Sequence, residues 1–302
     1  MSGLSFSREG ADWPLREASR FVEAGGFKWH VQELGHGPPL LALHGTGGAT
    51  HSWRGLAPLL APDFRWLAPD LPGHGFTTSR HRLDLSLPGI SKSIAALIAK
   101  LAFAPRVVVG HSAGAAVLAH LIAHGVIAPD LFVAINGAFL PFEGWAGHVF
   151  PVVAKVLELN PFSGRLFAWS ADRSTVQKML TGMGSKLDAR GVEFYARLMR
   201  DPAHCAGALG MMANWNLREM PRDLGRVKCP MLLIVGVNDR AVSPAEAPRV
   251  AKMASHATVK VLPGVGHLAH EEQPETVAAL IRAAAAEAGV LGLIRNSAPF
   301  PL

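Results

Sequence analysis

Gly110-His111-Ser112-Ala113-Gly114 sets a serine between two glycines where a β-branched strand (residues 107–109) runs into an Ala/Leu/Ile-rich stretch (residues 113–124) with the character of a helix. Strand, sharp turn and helix in that order form a nucleophile elbow. It holds a serine hydroxyl up at the start of the helix, and the glycines let the backbones approach closely. A hydroxyl attacks poorly until a base takes its proton, and the base needs a carboxylate to fix its tautomer. Two later junctions offer these groups. The apolar run 231–235 leads into Val237-Asn238-Asp239-Arg240, and the run 258–262 leads into Pro263-Gly264-Val265-Gly266-His267. Ser112 is thus the candidate nucleophile, His267 the general base and then acid, and Asp239 the orienting carboxylate. Two competing readings make Asp239 only a turn former, or His270 the base. Asn136 stands where a carboxylate could also have followed a strand.

A tetrahedral intermediate needs two hydrogen-bond donors aimed at its oxyanion. The N–H of Ala113, next after the nucleophile, is one candidate. The Thr46 N–H, in the loop His44-Gly45-Thr46-Gly47-Gly48, is the other. His44, Gly45 and His111 are expected to line the pocket rather than act as bases. No metal or organic cofactor is implied, because the triad supplies nucleophile, base and electrostatic stabilisation unaided.

The elements that must position these residues read as alternating strands and helices. Strands are expected at Phe27–Leu34, Pro39–Leu43, residues 64–68, the elbow strand, Leu131–Ile135, and the two runs before Asp239 and His267. Ile90, Ile94, Leu97, Ile98 and Leu101 fall at helical spacing. Strands apolar on both faces, alternating with helices, predict an α/β fold: a mostly parallel, doubly wound sheet covered on both sides. The alternation stops after Asn136. Residues 138–218 carry helical patterns rich in Trp, Phe and Met, including Trp145, Trp169, Met211, Met212 and Trp215. This stretch is expected to be a helical lid inserted in a core of residues 1–137 and 219–302. The five named side chains are expected to face the pocket, although most of the lid's large apolar groups would form its own core.

Composition narrows the remaining possibilities. Of 302 residues, 49% are hydrophobic and only 17% charged, which argues for a large core and against disorder. Cys205 and Cys229 make neither a disulfide framework nor a metal cluster, and a reducing, cytoplasmic setting fits. The first twenty residues lack an apolar signal core. Residues 107–129 contain no Asp, Glu, Lys or Arg, yet Ser112, three histidines and the elbow glycines favour a buried strand and helix over a membrane span. The net charge of +6 is dispersed, so nucleic acid is not an expected partner. An acidic ligand fits better: residues 138–218 hold nine Lys/Arg against six Asp/Glu. The apolar tail, residues 289–302, is expected to pack on the body, with dimerisation or peripheral membrane contact as alternatives.

His44-Gly45, the segment 69–75, Gly110 to Gly114, Asp239 and His267 together resemble the α/β-hydrolase superfamily over residues 27–287. Its members carry the triad in the chain order Ser, Asp or Glu, His, which is met here. Asp12-Trp13-Pro14, Ser52-Trp53-Arg54, Phe167-Ala168-Trp169, residues 208–215 and residues 266–272 resemble the magnesium-chelatase accessory proteins of bacteriochlorophyll synthesis. That resemblance implies a bulky apolar ligand such as a porphyrin, and magnesium chelatase subunits as partners. The triad and the apolar lid make a serine hydrolase for an ester or related acyl bond of a bulky apolar substrate the leading expectation, and the resemblance adds a non-catalytic porphyrin-binding or handover protein as the alternative.

Overall fold

The computed structural model describes residues 4–79, 81, 83–141, 160 and 163–292. Its strands are β1 (Ser19–Ala24), β2 (Phe27–Leu34), β3 (Pro39–Leu43), β4 (Arg65–Pro69), β5 (Thr78–Ser79), β6 (Val107–His111), β7 (Leu131–Ile135), β8 (Met231–Gly236) and β9 (Ala257–Leu262). They form one sheet in the order β1-β2-β4-β3-β6-β7-β8-β9, with β5 beside β2. The six strands from β4 to β9 in that order run parallel, and β2 lies antiparallel to β1, β4 and β5. β1 was not expected. It joins β2 through Gly25 and Gly26, both at positive φ, a two-residue turn whose twist suits a hairpin. Its polar, half-exposed residues mark an edge strand, which hides the alternation that identifies buried ones.

Among the described residues, the helices of eight residues or more are α1 (Leu87–Lys100), α2 (Ala113–Ala123), α3 (Ser163–Ser170), α4 (Arg173–Gly182), α5 (Ala189–Met199), α6 (Pro202–Ala213), α7 (Glu246–Met253) and α8 (Pro274–Glu287). Side chains alternate across the pleat, so each parallel strand feeds two cores. Leu41, Leu43, Val108 and Ala134 pack with α1 and α2 on one face; Leu40, Ala42, Val109 and Val133 pack with α8 on the other. The doubly wound α/β sheet is therefore present. Among the described residues no helix is long and apolar enough to cross a membrane.

Between β7 and β8 the chain forms α3 to α6. Asp172, Asp188 and Asp201 cap α4, α5 and α6, each accepting the N–H three residues on and satisfying a donor the helix cannot pair itself. α6 is tied to the loops at the carboxyl edge of the sheet. Gly207 packs on Gly73 so closely that any Cβ there would strike the Gly73 carbonyl. Gly207→Ala is accordingly expected to destabilise by about 1–3 kcal/mol, the cost of overpacking. A thermal midpoint equal to the parent's would show that the two segments can move apart.

Candidate active site

The parallel register brings the carboxyl ends of the central strands to one edge. Leu43 pairs with Gly110, His111 with Ile135, Ile135 with Ile234, and Gly236 with Leu262. The elbow follows β6. Ser112 sits at φ 50, ψ −119, a backbone state that costs an L residue on the order of 1–3 kcal/mol unless its surroundings impose it. They do so here. The Ser112 N–H donates to Ile135 O at 3.1 Å, and Ser112 O accepts from the N–H groups of Ala115 and Ala138, both at 3.1 Å. A side chain on Gly110 would collide with the backbone of Ala115, and one on Gly114 with the Leu43 carbonyl, so both glycines are fixed by close approach.

His267 follows β9 and Asp239 follows β8. Asp239 is buried; its Oδ1 accepts the N–H groups of Ala241 (2.8 Å) and Val242 (2.9 Å), and its Oδ2 lies 2.8 Å from His267 Nδ1. A carboxylate filled by donors in this way takes the ring as Nδ1–H, leaving Nε2 as the acceptor. Ser112, Ala113, Thr46 and His267 all line a single cavity of about 540 Å³. Thr46 lies in the turn Gly45 to Gly48, closed by Gly48 N–H to Gly45 O at 3.1 Å, with Gly47 at φ 76, as a type II turn requires. Ala113 opens α2, and its N–H is among those a helix cannot satisfy internally. A Cβ on Gly45 would press on the Ser112 Cβ and on His111, so glycine lets this turn lie beside the elbow.

Two histidines beside the serine are braces. His44 is buried, accepts the Leu71 N–H at Nε2 (2.9 Å) and donates from Nδ1 to Gly45 O (2.8 Å); burial lowers its pKa and keeps it neutral. His111 donates from Nε2 to the His267 carbonyl (2.9 Å), and burial beside two other histidines holds its pKa well below the usual range. His270, the alternative base, is buried with its ring 4.7 Å from Trp53 and its pKa pushed down to about 3 by burial. It does not line the cavity.

The expected pocket residues divide. Met212 and Trp215 line the cavity. Met211, one residue earlier on α6, points the other way into the core, where its sulfur accepts the Thr46 hydroxyl at 3.3 Å; it supports the turn rather than the ligand space. Trp169 is 86% exposed and does not line the cavity. α3 rests on α6 through Gly164, and five residues on, Trp169 lies roughly 140° round the helix, toward solvent. Trp145 lies outside the described residues, as do residues 293–302 of the tail.

Two further residues position these loops. Asn136 donates from Nδ2 to Gly266 O (2.7 Å) and accepts the Gly236 N–H at Oδ1 (2.9 Å), locking the loops of Asp239 and His267 together. His204 of α6 accepts the Gly75 N–H (3.1 Å) and donates to Gly47 O (3.1 Å). The clue at Asn136 was a single polar residue ending an apolar strand. His204, far from its partners in sequence, offered none.

Sheet order, elbow and matched span define the class: residues 40–280 match the alpha/beta hydrolase family, and the chain belongs to it. It is 37% identical over 274 residues to the magnesium-chelatase 30 kDa subunit of Rhodobacter capsulatus, covering 90% of this chain and 95% of that protein. It is 29% identical to a pimeloyl-[acyl-carrier protein] methyl ester esterase of Xanthomonas campestris, covering 81% of this chain and 94% of that protein. An alpha/beta hydrolase fold protein from Burkholderia ambifaria superposes with a TM-score of 0.74 at 22% identity, covering 87% and 97% of the two chains, and shares the fold.

Proposed function

We propose that the chain is a serine hydrolase acting on an ester or related acyl bond of a bulky apolar substrate. Ser112 attacks the carbonyl, His267 takes its proton and returns it to the leaving alcohol, and Asp239 holds the imidazole. The N–H groups of Thr46 and Ala113 receive the oxyanion. The observation that carries this reading is that Ser112 and His267 share a cavity wall while the buried Asp239 stands behind the His267 ring. A fluorophosphonate probe should label the intact protein at Ser112. Absence of any adduct there would overturn the reading.

The cavity sits within the roughly 300–1,000 Å³ typical of small-molecule sites, and Leu140, Met212, Trp215 and Leu217 make its wall apolar. Arg218 adds a cation. A large flat substrate with carboxylate arms suits both features. With the name of the Rhodobacter relative, they favour a tetrapyrrole of bacteriochlorophyll synthesis, with chelatase subunits as partners. Residues 138–218 then act as a lid on the core formed by residues 1–137 and 219–302. Arg218→Ala is expected to raise KM about tenfold or more for an ester that also bears a free carboxylate, through loss of a charge-assisted hydrogen bond. Esters without the carboxylate should keep their KM. An equal change for both would remove Arg218 from recognition.

The relative's name also favours a second reading, in which the cavity binds and hands over a porphyrin without turnover. Complementation separates the two. If Ser112→Ala restores pigment synthesis as fully as the parent gene does, handover is the function.

A further inference from the structure

α2 follows Ser112 and has two more histidines at its far end, His120 in its last turn and His124 just past it. His120 and His124 are four residues apart and so share a face; their ring centroids lie 4.1 Å apart. Asp223, from the short helix Met220–Leu224, reaches between them. Its Oδ2 lies 3.0 Å from His120 Nδ1 and its Oδ1 3.5 Å from His124 Nε2. One ligand atom from each of the three residues lies within 4.8 Å of the others. Nitrogen and oxygen ligands about 2.0–2.2 Å from a tetrahedral zinc ion stand roughly 3.3–3.5 Å from one another, so these side chains need little movement to share one. Two histidines four residues apart along a helix and its end form half of a familiar zinc-binding arrangement. The carboxylate is 4% exposed and the outer His124 ring 45%, so the cluster has a buried base and an open mouth. That mouth gives onto a cavity of about 460 Å³, with Glu219 on its wall. Arg226 lies 3.9 Å from Asp223 Oδ1, but its side chain is 42% exposed and can swing clear.

We infer that His120, His124 and Asp223 form a binding site for a divalent transition-metal ion of the zinc class, its fourth position facing this cavity. Two imidazoles and a single carboxylate suit zinc, cobalt or nickel. Magnesium and calcium prefer oxygen ligands, so they are poor occupants. Bound metal would fasten the end of the elbow helix to the short helix just after Trp215, Leu217 and Arg218, which line the catalytic cavity. Metal occupancy would then stiffen that wall.

The test uses the full-length, tag-free protein stripped with EDTA and titrated with cobalt(II). One equivalent should bind with the visible absorption of a tetrahedral ion, and zinc should displace it. His124→Ala removes an exposed ring that the fold does not need and is expected to weaken binding at least about tenfold. Asp223→Asn, which keeps the shape but not the charge, should do the same. Ser112→Ala should bind as the parent does, so this result is independent of whether the chain hydrolyses anything. Zinc, and not magnesium, should raise the thermal midpoint of the parent, and zinc should fail to raise that of His124→Ala. A parent with no saturable cobalt band, or a band undiminished in His124→Ala, would overturn the site and leave Asp223 as the hydrogen-bond partner of His120, with His124 beside it.

Discussion

Ser112→Ala is expected to lower kcat for ester hydrolysis by about 10⁴- to 10⁶-fold, the range seen when a triad nucleophile is removed, while ligand affinity and fold stay near the parent's. The stability half of this expectation follows from the elbow. Its hydrogen bonds run through the Ser112 backbone, to Ile135, Ala115 and Ala138, and alanine keeps all of them. Asp239→Asn should cost about 10⁴-fold by a different route. An amide can still bridge the Ala241 and Val242 N–H groups and His267, but it can offer the ring a donor and so select the tautomer that leaves Nε2 protonated. Its pH profile should therefore change shape, whereas the residual rate of Ser112→Ala should show no dependence on a single imidazole. Equal binding of a porphyrin acid to parent and Ser112→Ala, with no ester turned over by either, would instead place the function in binding.

What the sequence revealed about the site, and what it hid, follows from how local each signal is. β6, β7 and β8 are buried on both faces, so their apolar runs stand out, and the polar residues just beyond them could be assigned to one edge of a sheet. The elbow was legible for the same reason: Gly110 and Gly114 answer to steric demands within a few residues, or to the adjacent β3. Side-chain direction on the helices between β7 and β8 was not legible. Met211 and Met212 are neighbours with the same chemistry, and only the seating of α6 on Thr46 and Gly73 decides which one meets the cavity. Trp169 misled because a large aromatic side chain argues for burial, while α3 turns it to solvent. Asn136 and His204 act through backbone groups 100 or more residues away, and pairings of that kind leave no periodicity to read.

Acid is expected to unfold the protein steeply, well before its carboxylates are neutralised. His44, His51, His74, His111, His204 and His270 are all buried, and burial lowers the pKa of each, to about 4 for His204 and about 3 for His270. Below about pH 6.5 the unfolded chain protonates these rings and the native chain does not, so the unfolded state binds more protons and stability falls as pH falls. Each such ring contributes up to about 1.4 kcal/mol per pH unit while it is charged in the unfolded chain and neutral in the native one, and the six act in the same direction. A domain holds only about 5–15 kcal/mol in total, so the urea midpoint should collapse within one to two units below pH 6. A midpoint flat between pH 7 and 5 would mean that the native state takes up these protons without unfolding. His51→Phe isolates one ring. His51 packs against Trp13 (5.3 Å between centroids) and Tyr195 (4.5 Å), an aromatic setting that accepts phenylalanine, and the variant should lose about one proton of this dependence. Activity depends on the same rings. His44 accepts the Leu71 N–H and His204 the Gly75 N–H, so a proton added at either acceptor nitrogen breaks that bond and displaces a ring that also holds Gly45 or Gly47, loosening the turn that carries Thr46. Activity on the acid side should then fall with a slope steeper than one proton. A slope of one proton, with stability retained, would show that the braces do not take part.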